Sequence, residues 1–394
     1  EYRILIMESA FLLLSLFYSA IIIYFFAGII RIRKQQSGRQ YRVSVLVPAR
    51  DEEAHIADCL QSLKQQTYPQ ELYEVFVIDD HSVDATAAAA LKAMSGQPNF
   101  RLLQHRNSDE KPTFKKQALK YGLQFASGEI IMTIDADSIA QPQWIEKMAA
   151  SYGEDTGMVA GLVSFLPEKE KSIFHKLQTL EFAGIVFCGA GSLGNGRPII
   201  CNGSNLSFRR SAFDEVGGYD SNLHLPSGDD DLLLQNIHYH SRWKVRYALD
   251  SASINYTLPV KNYAAFLNQR SRWASKSLHY PSGWIFPILA AIYLFYVLLM
   301  LLPVFILAGL FSWKIYIAGW LLKCIPEALL IYRCLTILKR KDLLPWFGVA
   351  QLWQVPYIIF AGWRGFFQKY TWKDEKNNRR TQTAGNQARQ TENT

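Results

Sequence analysis

Cysteine is scarce in this sequence, and the cysteines that occur are far apart. The 394 residues include five, and none forms a Cys-x-x-Cys pair. This usage fits a reducing compartment and not an oxidising one.

Glycine-rich phosphate-binding motifs are also absent. An apolar stretch at residues 43–49 predicts a first β-strand, yet neither G-x-G-x-x-G nor G-x-x-x-x-G-K-[ST] follows it. This argues against a dinucleotide-dependent oxidoreductase and a P-loop enzyme. Any phosphate must therefore be held by a metal ion and by basic side chains.

The first apolar segment lacks the features of a cleaved signal peptide. Residues 4–30 are almost wholly apolar, long enough to cross a bilayer, and not followed by a small-residue cleavage site. Arg31, Arg33, Lys34, Arg39 and Arg42 come next, and such a basic cluster predicts that the following domain is cytoplasmic. We expect an integral protein of a bacterial inner (plasma) membrane.

Three further apolar segments occupy residues 285–311, 315–338 and 346–363. The basic residues at 339–341 indicate a cytoplasmic return after the third segment of the chain. The last segment contains Pro356 and two glutamines, so the sequence leaves open a span or a re-entrant hairpin.

The formal net charge of +8 is concentrated beside the apolar segments and in the tail. We interpret it as attraction to anionic lipid headgroups, and we expect no nucleic-acid partner.

Between the first two apolar segments, apolar strands alternate with helical patterns. Strands are predicted at residues 43–49, 74–78, 100–104 and 130–134, with helices between them. This alternation is typical of a doubly wound α/β sheet with parallel strands. Ligands of such sheets bind beyond the carboxyl ends of the strands.

Acidic residues occur at three of these strand ends: residues 48–52, 79–80 and 135–137. Asp135 and Asp137 are two positions apart, so in an extended chain both face one point. Two carboxylates without a nearby thiol or imidazole suit a hard cation such as Mg²⁺ or Mn²⁺. The alternative is that they cap the helix that begins near Gln141.

The second half of the soluble region is less regular. Residues 158–165 predict a strand, and residues 174–187 an apolar segment that lies against the membrane. An acidic run at 227–231 precedes a helix and could serve only as its cap. Residues 263–279 predict an amphipathic helix in the membrane interface, whose cations could simply contact lipid phosphates.

Five motifs in this order resemble the membrane-integrated branch of the family 2 glycosyltransferases of GT-A fold. That branch includes cellulose, hyaluronan and poly-N-acetylglucosamine synthases and ceramide glucosyltransferases. The motifs are Val-Leu-Val-Pro-Ala-Arg-Asp-Glu-Glu (45–53), Val-Ile-Asp-Asp-His-Ser (77–82), Lys-Lys-Gln-Ala-Leu (115–119) before Asp-Ala-Asp (135–137), Gly-Asp-Asp (228–230) and Gln-Arg-Ser-Arg-Trp (269–273).

The resemblance implies a role for each motif. The UDP-sugar donor would be bound by Pro48, Ala49, Glu52, Asp79, Asp80, Lys115 and Asp135, and by the Q-x-x-R-W region with Gln269, Arg270, Arg272 and Trp273. Asp135 and Asp137 would hold Mg²⁺ or Mn²⁺ on the diphosphate.

The general base implied by the resemblance is an aspartate of the Gly-Asp-Asp motif. Aligning the motif on Leu233 selects Asp230, which we prefer, and aligning it on Leu232 selects Asp229. The sequence also departs from the family pattern, because Arg50-Asp51 replaces the usual aromatic-Asn pair. Nucleoside contacts at that point are therefore expected to differ.

We expect an inverting glycosyltransferase that moves a sugar from a UDP-sugar to a membrane lipid at the cytoplasmic face. The alternative is a processive polysaccharide synthase that exports its polymer and needs a glycan acceptor. A fold retained as an inactive binding protein and phosphoryl transfer to a lipid are weaker alternatives. A homo-oligomer or a partner subunit is left open.

The expected organisation has five parts. They are an N-terminal transmembrane helix (1–34), a GT-A domain (42–260), an interfacial helix (261–284), a C-terminal membrane region (285–367) and a basic, polar tail expected to be disordered (368–394).

Overall fold

The computed structural model of the chain describes residues 2–33, 37–106, 115–223, 228–275, 280 and 282–367. The strands are β1 (Val43–Ala49), β2 (Tyr73–Asp80), β3 (Phe100–His105), β4 (Ile130–Thr133), β5 (Ile139–Ala140), β6 (Thr156–Gly161), β7 (Val163–Phe165), β8 (Leu206–Arg209), β9 (Lys244–Ala248) and β10 (Asn255–Thr257). The α-helices are α1 (Tyr2–Arg31), α2 (Ile56–Lys64), α3 (Thr86–Met94), α4 (Lys115–Leu123), α5 (Trp144–Ala150), α6 (Ile173–Gly194), α7 (Arg210–Glu215), α8 (Asp231–His240), α9 (Tyr263–Ser275), α10 (Ile285–Leu307), α11 (Trp313–Ile337) and α12 (Phe347–Phe366).

Seven strands form the main sheet in the order β3-β2-β1-β4-β8-β6-β9. The first four are mutually parallel, as are β6 and β9, which confirms the predicted α/β fold. One strand departs from the predicted parallel pattern, because β8 runs antiparallel to both of its neighbours, β4 and β6.

Alternate residues of the central strand enter different cores. Val43, Val45 and Val47 pack with α2 and α5, whereas Leu46 packs on the opposite face with α4 and α6. Both faces are therefore covered by helices, which explains why the strands are continuous apolar runs and not alternating ones.

A second sheet of three strands has the order β5-β10-β7. The single strand predicted at 158–165 is in fact two strands, β6 and β7, which belong to different sheets. The break falls at Leu162, whose carbonyl accepts hydrogen bonds from Asn255 N and from the side chain of Asn205.

Within the described residues, five helical segments are long and apolar enough to cross a membrane: α1, α6, α10, α11, and residues 341–366, which contain α12. In α6 the apolar surface largely faces protein, since two-thirds of its most apolar window is buried. The last apolar segment is one continuous helix, α12, that includes Pro356, and its crossing of the membrane stays a prediction.

Helices α1 and α6 cross at glycines. A Cβ atom at Gly28 would lie 1.9 Å from the carbonyl oxygen of Gly191, and one at Gly191 would lie 2.2 Å from that of Phe25. Only glycine permits this approach, which fixes α1 directly to α6.

Helix α9, which carries the Gln-Arg-Ser-Arg-Trp motif, is fixed between α6 and α12. The Arg270 guanidinium forms a buried, bidentate ion pair with Glu181 of α6, and the hydroxyl of Tyr357 of α12 donates to Glu181 at 3.1 Å. The guanidinium also lies against the rings of Phe266 and Trp273.

Some parts of the predicted segments lie outside the described residues: residue 34, residues 276–279 of the predicted interfacial helix, and the tail at 368–394.

Breaking this ion pair is expected to destabilise the protein. Arg270→Met leaves the Glu181 carboxylate buried without its cation, which typically costs about 3–5 kcal/mol. We expect a markedly lower thermal midpoint in detergent. The double variant Arg270→Met/Glu181→Leu removes both charges and should regain most of the loss. Additive losses in the double variant would show that the pair does not couple the two helices.

Candidate active site

One cavity of about 1210 Å³ collects the residues that the sequence singled out. Thirteen of the fourteen predicted site residues line it: Pro48, Ala49, Glu52, Asp80, Lys115, Asp135, Asp137, Asp229, Asp230, Gln269, Arg270, Arg272 and Trp273. The structure therefore brings them together, while their individual roles remain predictions.

The sheet register explains why distant motifs meet. Ala49, the last residue of β1, pairs with Asp79 of β2, and Leu46 pairs with Thr133, the last residue of β4. Because the three strands are parallel, Asp80 and Asp135 emerge at the same edge of the sheet as the loop after Ala49.

Asp79 is the one predicted residue that does not reach the cavity. Its carboxylate is fully buried and forms an ion pair with Arg106 at 2.5 Å. Asp80 points the other way, and its Oδ1 lies 2.9 Å from Nδ1 of His81 and 3.0 Å from Nδ1 of His105. Strand alternation directs the two adjacent aspartates to opposite faces of the sheet.

The loops after β1 and β2 are joined by hydrogen bonds. Asp51 donates its backbone N–H to the Ser82 hydroxyl and accepts from Val83 N at 2.9 Å, while Glu52 N donates to the Thr86 hydroxyl. Asp51 and His81 have φ angles of 53° and 58°, a left-handed conformation that is costly for non-glycine residues. The hydrogen bonds hold both loops in this shape, and the departure at Arg50-Asp51 thus has a structural role.

Lys115 links two acidic motifs at the centre of the cavity. Its Nζ lies 2.7 Å from Asp135 Oδ1 and 2.8 Å from Asp229 Oδ2. Burial lowers the pKa of Lys115, but the two carboxylates raise it more, and the pKa lies well above its usual range. The side chain is therefore a fixed positive charge beside the acidic cluster.

The loop at residues 201–205 covers this acidic cluster, and the sequence analysis gave it no functional role. Thr133 donates to the carbonyl of Gly203 at 2.9 Å, and the hydroxyls of Ser138 and Ser204 are 2.7 Å apart. A Cβ atom at Gly203 would lie 2.8 Å from Asp229 Oδ2 and 3.0 Å from Lys115 Nζ. The glycine of Asn-Gly-Ser is the feature of the sequence that could have predicted so close an approach of the backbone.

The three consecutive aspartates at the start of α8 have different surroundings. Asp229 receives Lys115, whereas Asp230 caps the helix by accepting from Asp231 N at 2.8 Å and also accepts from Gly203 N at 3.3 Å. Asp231 accepts from Cys201 N and from the Tyr280 hydroxyl. Burial, and then the nearby carboxylate of Asp231, raises the pKa of Tyr280 well above its usual range.

The Gln-Arg-Ser-Arg-Trp motif forms another wall of the cavity. Trp273 packs beside Phe182 of α6, with ring centroids 5.9 Å apart. Arg270 is committed to Glu181, as described above, and also donates to the side chain of Gln269. The ion pair fixes the position of Arg270, which lines the cavity together with Arg272 and Trp273.

Two sets of side chains in the described residues have the chemistry to hold a divalent cation. Asp80, His81 and His105 place one ligand atom each within 4.8 Å of one another, but both imidazoles approach the same carboxylate oxygen. That geometry is accounted for by hydrogen bonds that orient Asp80. Asp135 and Asp137 line the cavity beside Asp229, and carboxylates are the donor set that Mg²⁺ and Mn²⁺ prefer.

Comparison with known proteins agrees with this geometry. Residues 44–217 match the family model described as glycosyl transferase family 2. The beta-monoglucosyldiacylglycerol synthase of Trichormus variabilis is 28% identical over 248 residues, 61% of this chain and 50% of that protein. The poly-beta-1,6-N-acetyl-D-glucosamine synthase of Staphylococcus epidermidis is 24% identical over 233 residues, 59% of this chain and 53% of that protein.

The chain spans about half the length of the curated relatives it matches. Among solved structures, the mannosyltransferase PcManGT of Pyrobaculum calidifontis, in complex with GDP-Man and Mn²⁺, has a TM-score of 0.57 at 19% identity. The match covers 92% of this chain and 99% of that one, which shows a shared GT-A fold. Residues 44–217 of the chain thus form a region that matches glycosyl transferase family 2.

Proposed function

We propose that the protein is an inverting glycosyltransferase that moves a sugar from a UDP-sugar to a membrane lipid at the cytoplasmic face. One observation carries the proposal. The cavity that contains Asp135, Asp137 and Asp230 continues between apolar residues of α1, α6, α10 and α12. The polar half of this cavity suits a donor with a charged diphosphate, and the apolar half suits an acceptor with hydrocarbon tails.

The donor half is built from the strand ends. Ala49, Glu52 and Asp80 hold the uracil and ribose, and the two histidines orient Asp80 through its Oδ1. Lys115 and Arg272 supply positive charge toward the diphosphate. The acidic surroundings of that diphosphate also call for a cation.

Asp135 and Asp137 fit a divalent cation, and the Mn²⁺ in the PcManGT complex is consistent with one. When bound, the cation supplies electrostatic stabilisation of the leaving diphosphate. Lys115 holds Asp135 and Asp229 close together through its two ion pairs, and the backbone of Gly203 limits the space above them.

Asp230 is the proposed general base, with Asp229 as the alternative. A carboxylate that accepts from an ammonium is a weaker base, and Asp229 lies 2.8 Å from Lys115 Nζ. Asp230 removes the proton of the acceptor hydroxyl as that oxygen attacks the anomeric carbon. The carbon–oxygen bond to UDP breaks in the same step, so the configuration inverts.

The lipid acceptor is supported by the likeness to the Trichormus variabilis synthase and by the placement of the helices. Arg31 ends α1, and Arg340, just after α11, forms a bidentate ion pair with Glu170 of the soluble domain. Basic residues at both ends favour the cytoplasmic side of a bacterial inner membrane.

A processive polysaccharide synthase is the second candidate. The Gln-Arg-Ser-Arg-Trp motif and the likeness to the Staphylococcus epidermidis synthase favour it. Export of a polymer needs a protein-lined path through hydrocarbon. Of the five candidate membrane helices in the described residues, α6 has two-thirds of its most apolar window buried within the protein, which leaves few to enclose such a path in one protomer.

Activity is expected to require the divalent cation. Chelation with EDTA should abolish UDP release, and added Mn²⁺ or Mg²⁺ should restore it. Asp137→Asn should weaken Mn²⁺ binding by the UDP complex, measured by electron paramagnetic resonance. Asp214→Asn, on an exposed position of α7, is the matched control. Full activity after chelation would remove the metal from the proposal.

Asp230→Asn should lower turnover by roughly two to four orders of magnitude, since the general base is lost. Asparagine also caps helices well, so the start of α8 and UDP binding should be retained. Asp229→Asn should be milder in turnover. A larger loss at Asp229, with normal UDP affinity, would transfer the role of base to that residue.

The acceptor is tested with radiolabelled UDP-sugars and native membranes. We expect the label in an organic-extractable lipid that carries one or a few sugars. The Asp230→Asn protein, made in the same host, is the control for activity of the membranes themselves. Label confined to an extraction-resistant polymer of high molecular weight would establish the synthase instead.

A further inference from the structure

Helix α11 buries two opposite charges within an apolar segment. Lys323 and Glu327 are one turn apart and 0% and 6% exposed, and their charged atoms lie 3.0 Å from each other. Ionisable residues inside membrane helices are costly and tend to mark functional sites.

The pair is the centre of a polar cluster contributed by four helices. Lys323 Nζ donates to Gln351 and, at 3.1 Å, to Gln354, both of α12. Tyr18 of α1 donates to Glu327, and its hydroxyl lies 3.0 Å from that of Tyr296 of α10. We call these six residues the helix-bundle polar cluster.

The cluster lies well inside the bundle. At 1.5 Å per residue, Tyr18 is about 20 Å from the end of α1 at Arg31, and Glu327 is about 15 Å from the end of α11 at Ile337. Basic residues follow both ends, so in the proposed membrane arrangement the cluster is at hydrocarbon depth.

Four members of the cluster also line the cavity of the active site: Tyr18, Glu327, Gln351 and Gln354. A cluster that served only to join helices would not need to line a cavity. The cavity therefore has two polar regions: one at Asp135 and Asp137, and one at this cluster.

The charges of the cluster define what it can bind. Lys323 and Glu327 cancel, and the remaining members are neutral amides and phenols. An anionic phosphate would lack a compensating charge there, whereas an uncharged hydroxyl, ester or sugar oxygen finds donors and acceptors. The neighbouring walls are apolar and aromatic, with Trp353, Tyr357 and Ile331 among them.

We propose that Tyr18, Glu327, Gln351 and Gln354 form a second polar subsite, which hydrogen-bonds the uncharged oxygen-bearing groups of a neutral acceptor lipid. The proposal rests on the lipid acceptor proposed above and adds two features to it. The acceptor is uncharged, and its polar groups are recognised within the helix bundle as well as at the acidic cluster.

Native mass spectrometry of the detergent-solubilised full chain tests binding without turnover. The probes are dioleoylglycerol, its monoglucosyl derivative and a polyprenyl phosphate. We expect retention of a neutral lipid and about tenfold weaker retention in Gln354→Leu and in Tyr18→Phe, which removes only a hydroxyl. Leu352→Ala, on the exposed face of α12, should behave as the wild type.

Preferential retention of dioleoylglycerol would show that the subsite binds the glycerol backbone. Preferential retention of the glucosyl lipid would show that it binds a sugar. Either result supports the proposal. Equal retention by the wild type and by correctly folded Gln354→Leu and Tyr18→Phe would overturn it, as would preferential retention of the polyprenyl phosphate. Thermal midpoints and circular dichroism establish folding.

Kinetics separate this inference from the proposed function. If the wild type transfers sugar to lipid, the variants should raise KM for the lipid about tenfold and leave KM for the UDP-sugar within twofold. If the wild type transfers sugar to lipid and the variants leave the KM for the lipid unchanged, the subsite is overturned and the proposed function stands. Absence of lipid transfer by the wild type would overturn the proposed function, while the binding measurement would still decide whether the subsite exists.

Discussion

The parallel pairing of β1 with β2 on one side and β4 on the other is the constraint on which the site depends. It places the ends of three strands, separated by more than 80 residues of sequence, at one edge of the sheet. Carboxylates crowded there would repel one another if they were left alone. Lys115 reduces that repulsion between Asp135 and Asp229, and the histidines beside Asp80 donate to a third carboxylate.

The antiparallel strand β8 adds what a purely parallel sheet could not. Because β8 runs opposite to β4, the loop that precedes it arrives at the edge where β4 ends. That loop brings Gly203 against Asp229 and Lys115, and Cys201 N to Asp231. The inserted strand thus closes the acidic cluster from above and connects it to the start of α8.

The sequence predicted the parts of the fold that depend on local pattern. Apolar runs located β1 to β4, and the motif order predicted which residues share the cavity. Strand alternation could have separated Asp79 from Asp80, but the Arg106 partner that fixes Asp79 was not predictable from it. The sequence also did not reveal the partner of Arg270, because nothing local to it points to Glu181, 89 positions away.

The sequence was least informative about the polar side chains within the apolar segments, because it does not identify their partners. Gln351 and Gln354 left a span or a hairpin open in the sequence, because amides in an apolar run are costly when they face lipid. In the structure they face Lys323 across the bundle, and the helix remains continuous. Polar residues in an apolar helix can therefore indicate a hydrogen-bonding partner on another helix as readily as an interruption of the helix. Only the packing of the other helices distinguishes the two cases.

The coupling between the two halves of the cavity follows from helices that belong to both. Helix α6 contacts α1 through Gly28 and Gly191, and its Glu181 holds Arg270 of α9. Helix α12 supplies Tyr357 to the same carboxylate and, one turn earlier, the cluster residue Gln354. The apolar walls thus cannot shift independently of the Gln-Arg-Ser-Arg-Trp helix. A ligand held among the membrane helices would therefore be held in a defined position relative to Trp273 and the acidic cluster, which is what a transfer between a soluble donor and a membrane acceptor requires.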